Sequence, residues 1–409
     1  MKSISTTCAI VGGGPCGMML GVLLARAGVD VTVLEKYPDF YRDFRGDTIH
    51  PSTMELLYEL GWLDDFLKIP HQQIDQIGAR IGGEFVHLGD FTHLKTHAKF
   101  VAEMPQWDFL NFLADRGKRY PTFRLLMHAN ATGLLESGGR VTGVAATDAD
   151  GSGTIDAKLV VGCDGRHSTI RQSAGFEVKD LGAPMDVLWL RLPKGPNDPA
   201  QLLGSVNDGH MLVMIDRNEY WQCAYLIPKG GLDKLKTAGL DELHRGLVAA
   251  APELADRVGA IDDWSKVSLL EVTVDRLNVW HRPGLLCIGD AAHAMSPIGG
   301  VGINLAVQDA VAAANVLYAP LLAGEDTDAA LQHIQSRRTF PTEVTQAVQV
   351  FIQNRAIAPM LEGATPKRPP LVMRLFDEFP RLRGLPARLV GVGVRPEHVH
   401  TPDAFATAS

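Results

Sequence analysis

Three glycine-bearing stretches hold the residues whose types and spacing suit chemistry on a phosphate-bearing ligand. In the first, Gly12, Gly14 and Gly17 make a GxGxxG pattern, with Pro15 and Cys16 between the last two. It lies between an apolar run, Thr7 to Val11, and a helical pattern, Met18 to Ala27. Glycines so spaced permit a tight turn, close approach of a pyrophosphate, and close packing of helix on sheet. A second strand pattern, Val29 to Leu34, leads into Glu35 and Lys36, and an acid at that distance accepts hydrogen bonds from an adenosine ribose. Strand, glycine turn, helix, strand and acid together predict a dinucleotide. The second stretch begins with the short apolar strand Leu285 to Ile288, followed by Gly289 and Asp290, the loop Pro297 to Gly302, and helical spacing from Val301 to Leu317. A helix start with bare N–H groups binds anions and polarised oxygens, and Asp290 can accept from hydroxyls. In the third, the strand Lys158 to Gly162 runs through Cys163, Asp164 and Gly165 into a helix for which Ser168 and Thr169 are candidate caps.

The elements that must position these stretches read as α/β. Pro51 to Leu60 predicts a helix with Pro51 in its first turn and Ser52 or Thr53 near its cap, and Gln106 introduces another. Leu125 to Leu135 and Arg140 to Thr147 read as a small β-meander. A different pattern fills the middle of the chain. Val187 to Leu192, Leu202 to Val206, Met211 to Ile215, Tyr220 to Ile227 and Val267 to Glu271 are strand-like, interrupted by a helix over Asp241 to Val258. Residues 71–100 are expected to add strands to this sheet. Trp221 and Tyr225 share one face by alternation, either to pack a core or, with His210, to meet a substrate. Helical patterns close the chain over Asp328 to Arg355 and Pro370 to Leu389, and the last dozen residues are expected to fray.

Composition narrows the alternatives. A net charge of −8 with scattered Lys and Arg gives no footprint for nucleic acid. Five cysteines without CxxC or Cys/His ligand spacing predict reduced core residues and no metal site, as in a cytoplasmic protein. No cleavable signal or spanning apolar run is expected, hence no integral membrane segment.

The segment GDAAHAMSPIGGVGINLAVQDA closely resembles the GD motif of class A FAD-dependent aromatic monooxygenases, the para-hydroxybenzoate hydroxylase-like family, and GCDGRHSTIR resembles that family's DG motif. The resemblance implies a Rossmann-like FAD-binding domain (1–70, 101–180 and 276–360), an inserted, largely antiparallel β-sheet substrate domain (71–100 and 181–275), and a C-terminal helical segment and tail (361–409). It implies that Asp290 reaches the ribitol of non-covalently held FAD. Pro297, Gly300, Val301, Gly302, Ile303 and Asn304 would lie against the pyrophosphate and the pyrimidine end of the flavin. Val301 departs from the Gln that many members carry, so contacts there are expected from backbone. Arg45 would line the flavin, Gln106 would touch FAD, the backbone at Ala131 would flank the adenine, and Asp164 and Gly165 would serve both FAD and a transient NAD(P)H. There is no second GxGxxG for a separate NAD(P)H domain. Longer members add a thioredoxin-like domain, for which 409 residues leave no room.

In that family NAD(P)H reduces the flavin, O₂ gives a C4a-hydroperoxide, and an aromatic or phenolic small molecule is hydroxylated. No catalytic acid or base stands out, although His50, His210 and Tyr220 are titratable or phenolic, and His293 is expected to order the GD loop. Three rivals share the fold. They are a flavin dehydrogenase or reductase without oxygen insertion, a non-catalytic small-molecule-binding relative, and a halogenase. The halogenase WxWxIP stretch has its nearest counterpart in Cys223 to Pro228, which lacks both tryptophans.

Overall fold

In the computed structural model, residues 2–41, 48–195, 198, 203–364 and 368–406 are described. The apolar strand Ile4–Val11 lies at the centre of an eight-stranded sheet. It pairs in parallel with Val31–Glu35 on one side and Gly151–Gly162 on the other. Phe123–Met127 and Leu285–Cys287 extend the parallel set outward. Parallel strands buried on both faces need near-continuous apolar runs, and Val31–Glu35 is buried throughout. Helices Pro15–Arg26 and Gly302–Ala323 pack on each other beside this sheet, and Gln106–Gly117 packs on the first of them. Gly302–Ala323 lies within Ile298–Ala323, among the described residues the one helical stretch long and apolar enough to cross a membrane. Val307, Val311 and Leu317 have no exposure, so its apolarity serves the core.

The strand Gly151–Gly162 carries two partners along one edge. Its first half pairs antiparallel with Arg140–Asp148, and its end pairs with Leu285–Cys287. The expected strand Leu125 to Leu135 is in fact two. Phe123–Met127 belongs to the main sheet, and Asn130–Ser137 opens the meander. His128 breaks the run with φ of +58°. Its N–H donates to the Tyr37 carbonyl at 2.8 Å, and that of Ala129 donates to the Glu35 carbonyl at 2.8 Å.

A seven-stranded sheet stands apart, in the order Ser268–Leu270, Met185–Pro193, Tyr220–Pro228, His210–Asp216, Leu203–Asn207, Gln76–Ile81, Glu84–Asp90. Only the pair Leu203–Asn207 with Gln76–Ile81 is parallel. One face packs on the helix Leu240–Ala250. That helix ends before the expected Val258 because Pro252 cannot supply the next N–H.

Asp328–Ile352 continues into a wide π-helical turn, Gln353–Ile357. The expected helix Pro370 to Leu389 splits at Pro380 into Leu371–Glu378 and Gly384–Gly391. The tail is docked where fraying was expected. Glu59 accepts from His398 Nδ1 at 2.5 Å and Val399 N at 2.8 Å, while Arg26 donates to the Thr401 carbonyl at 2.7 Å. Side chains of two helices therefore satisfy tail groups that water would otherwise hold.

A Cβ at Gly17 would stand 2.0 Å from the Gly12 carbonyl oxygen, a backbone atom, whereas one at Gly133 would meet nothing within 4 Å. Gly17→Ala is expected to lower stability by about 1–3 kcal/mol through overpacking, with Gly133→Ala near neutral. Urea unfolding midpoints measure both, and equal midpoints would contradict this packing.

Candidate functional site

The glycine turn, the DG segment and the GD loop converge at the ends of the parallel strands. Gly12, at φ +108°, is pressed against Cys163 and Asp164, where a Cβ would come within 2.4 Å of the Cys163 carbonyl oxygen. Gly13 N–H donates to Glu35 Oε2 at 3.0 Å, so the acid closing the second strand also braces the turn. Gly14 differs from its neighbours. It caps the helix with no side-chain hydrogen bond, and a Cβ there would meet no protein atom within 4 Å. Pro15 follows at the first helical position, leaving the N–H groups of Cys16 and Gly17 at an uncapped start.

Asp164 accepts from Ser168 Oγ at 2.5 Å and Ile170 N at 3.1 Å. Its carboxyl is therefore engaged in capping the short helix Thr169–Ser173, and burial raises its pKa against those bonds. Thr169, the alternative cap, is the first helical residue; Ser168 is the cap, accepting from Arg171 N at 2.9 Å. Gly165 beside it has φ +84°.

Asp290 is open by comparison. Its carboxylate is a third exposed and lies 3.6 Å from the Arg166 guanidinium. Gly289, at φ +59°, fits between Cys16 and Ala306, which joins the GD loop to the first helix. Gly289 N donates to Asp309 Oδ2 at 3.1 Å, and His293 Nε2 lies 2.5 Å from the same oxygen. Arg338 Nε donates to Asp309 Oδ1 at 2.7 Å. Beyond Pro297, Gly299 and Gly300 take φ of +77° and +62°, and the helix then starts from Val301 without a side-chain cap.

Asn304 Oδ1 accepts from His50 N at 3.0 Å and Thr53 Oγ1 at 2.7 Å, and its buried Nδ2 has no hydrogen-bond partner among the described residues. The N-cap of Pro51–Glu59 is thus His50 and not Ser52 or Thr53, without a side-chain cap hydrogen bond, and Asn304 takes the N–H of His50 itself. His50 itself is buried, with Nδ1 at 2.8 Å from the Val390 carbonyl, and burial pulls its pKa down to about 4. A neutral, occupied ring holds the loop in place and has no free proton to relay.

Sequence reasoning missed a row of glutamines on one long helix. Gln346 donates to the carbonyls of Asp275 at 2.7 Å and Ala294 at 3.1 Å. Gln349 donates to those of Ser296 and Ile298, both at 2.9 Å, and Gln353 to Ser296 Oγ at 2.9 Å. Their three- and four-residue spacing was visible as one helix face, but nothing marked it as buried.

The substrate candidates need correction. Trp221 and Tyr225 are buried with Leu243 and Leu247 on the helix-covered face of the seven-stranded sheet. Trp221 donates to Asp198 at 2.5 Å, and the Tyr225 hydroxyl lies 2.7 Å from His210 Nδ1. The opposite face carries Val187, Ala224 and Leu226, with Trp189, Met211 and Val213 packed beside them. This cluster includes Ile298 of the glycine loop, with Ile357 and Met360 of the C-terminal helices. Alternation had grouped Trp221 with Tyr225 correctly, and the leucines of Asp241 to Val258 were the sign that a helix covers that face.

Of the remaining candidates, Gln106 is the half-buried first residue of its helix, and Ala131 is buried opposite Ala146 of Arg140–Asp148. Lys36 is exposed, its ammonium 5.1 Å from the Tyr37 ring centre. Ile303 is half-buried in the first turn after Gly302. Arg45 lies outside the described residues. Among those described, no group of three His, Cys, Asp or Glu is arranged to hold a metal.

The chain matches the FAD binding domain family over residues 5–348. It is 32% identical over 386 residues to 6-methylpretetramide 4-monooxygenase of Streptomyces rimosus, covering 94% of this chain and 92% of that one. The chain belongs to the FAD-dependent aromatic monooxygenases. Solved structures of similar fold include the OxyS anhydrotetracycline hydroxylase of S. rimosus (TM-score 0.74, 22% identity, 96% of this chain and 77% of that one). Another is PqsL of Pseudomonas aeruginosa, described as a probable FAD-dependent monooxygenase (TM-score 0.74, 20% identity, 88% of this chain and 99% of that one).

The residues present fit FAD. Two uncapped helix starts, the open face at Gly14 and the orphaned Asn304 amide are features that a dinucleotide would complete. Gly14→Ala is expected to keep the free energy of unfolding within about 0.5 kcal/mol while weakening FAD binding at least tenfold. Fluorescence titration of apoprotein measures the affinity, and unchanged binding would remove Gly14 from the site.

Proposed function

We propose that this monooxygenase uses NAD(P)H and O₂ to place one oxygen atom on an electron-rich, phenolic ring of a small molecule. The observation that carries the reading is the contact of Ile298 with the apolar sheet face bearing Val187, Ala224 and Leu226. It sets a hydrophobic wall directly against the loop expected to hold the flavin. Bound FAD would supply electron transfer from the nicotinamide and activation of O₂.

The chain's own residues do the rest. N–H groups at the start of Gly302–Ala323 can stabilise negative charge. The apolar wall excludes water. His50 is held neutral and bonded, so the ring's own ionised hydroxyl is the better source of activation. Asp290 and Arg166, facing each other at 3.6 Å, offer one carboxylate and one guanidinium at the site, to the ribitol and a transient nicotinamide dinucleotide respectively. All five cysteines are buried and free, which supports a reducing, cytoplasmic setting.

The reaction consumes NAD(P)H, a proton, O₂ and substrate, and yields NAD(P)⁺, water and the hydroxylated ring. Turnover under ¹⁸O₂ with a panel of phenols and phenolic polyketides tests the proposal by product mass. One labelled atom in the product and the other in water is expected. An oxidised product free of label would mean a dehydrogenase and overturn it.

A further inference from the structure

The C-terminal helices present an apolar face that no part of the described chain covers. Leu371, Val372, Leu375, Phe379, Leu385 and Leu389 are each between 38% and 76% exposed. Helix Leu371–Glu378 buries none of its residues fully. Scattered exposed leucines are ordinary, but these six exposed apolar residues, gathered within residues 371–389, mark a contact surface.

The segment is fixed in place. Asp377 accepts from His87 N at 3.1 Å and lies 2.9 Å from His87 Nδ1. Arg383 donates to the Phe376 and Asp377 carbonyls at 2.8 and 2.6 Å. Ala387 is buried beside Phe91, and the Val390 carbonyl meets His50. The inner side is satisfied, so the outer side is presented by a built structure.

Charge decides between occupants. Residues 368–390 contain five arginines and two acids in a chain of net charge −8. Asp377, one of the two acids, already faces inward to His87 and Arg383. Arg374, Arg381 and Arg388 are exposed beside the apolar residues and form no ion pair among the described residues. A symmetric contact between two copies would set this patch against itself, arginine toward arginine. Leucine and phenylalanine flanked by arginines are instead the composition of a helix that lies in a lipid interface, its guanidinium groups reaching to headgroups.

We infer that this face docks on an anionic lipid surface, as a peripheral contact. Because Val390 leans on His50, docking there holds the glycine loop close to the bilayer.

Flotation of FAD-loaded protein with vesicles of phosphatidylcholine, alone or mixed with phosphatidylglycerol, tests this. Binding to the mixed vesicles is expected, weak on phosphatidylcholine alone and falling as salt rises. Leu375→Asp with Leu385→Asp, and separately Arg374→Glu with Arg388→Glu, should each lower the partition coefficient at least about tenfold, with FAD content as the check on folding. Absence of flotation with either vesicle would overturn the inference. So would vesicle-free ultracentrifugation showing a dimer that the double aspartate variant dissociates, since the face would then join two copies. Flotation undiminished in both variants would also place the contact elsewhere.

Discussion

Burying a carboxylate without compensation costs several kcal/mol, and the chain meets that cost at Asp309 by drawing separate segments onto it. Asp309 has no exposure to water, and His293 and Arg338 beside it are each 1% exposed. Burial pushes its carboxyl up, but the neighbouring His293 and Arg338 outweigh burial and hold it below the usual carboxylate range. A carboxylate so held adds stability above its unfolded pKa of about 4, and that stability is lost as pH falls through the lower folded value. One oxygen takes the Gly289 N–H, so the turn of the GD loop is set by a side chain twenty residues later. Arg338 also reaches Glu397 at 3.2 Å, and Gln308 accepts from Glu397 N, which ties the C-terminal segment to the same centre.

From that centre the loop is held along its length. Gln346, Gln349 and Gln353 take up its backbone and Ser296 from the side of the long helix, and Asn304 ties its far end to His50. Several buried hydrogen bonds converging on one loop rigidify it. Such a loop keeps Gly299 and Gly300 in left-handed conformations and leaves an uncapped helix start facing the site. Division of labour follows: the cofactor brings the redox chemistry, and the protein fixes where it sits and keeps water away.

The cofactor half of this account was legible because its signals are local. GxGxxG followed by Glu35 lies within 24 residues, and a glycine needing positive φ or a Cβ-free contact declares itself by type. Gly12 and Gly289 are both of that kind. The rest depended on contacts between residues far apart in the chain. Alternation put Trp221 and Tyr225 on one face, yet only the packing of Leu240–Ala250 decides which face is covered. The role of His50 could not be read without Val390, 340 residues away. The single break at His128 turned one expected strand into members of two pairings. The tail was expected to fray because its partners, Glu59 and Arg26, belong to helices near the other end of the sequence.

Hydrogen exchange of the Arg338→Met apoprotein tests the dependence of the loop on this centre most directly. Methionine keeps much of the volume while leaving Asp309 and Glu397 without their shared cation. Amide protection at Gly289 and Ala292 is expected to fall at least about tenfold, as in a local opening, while that of Ile4–Val11 is retained. Unchanged protection in the loop, or an equal loss in loop and central strand, would contradict the account.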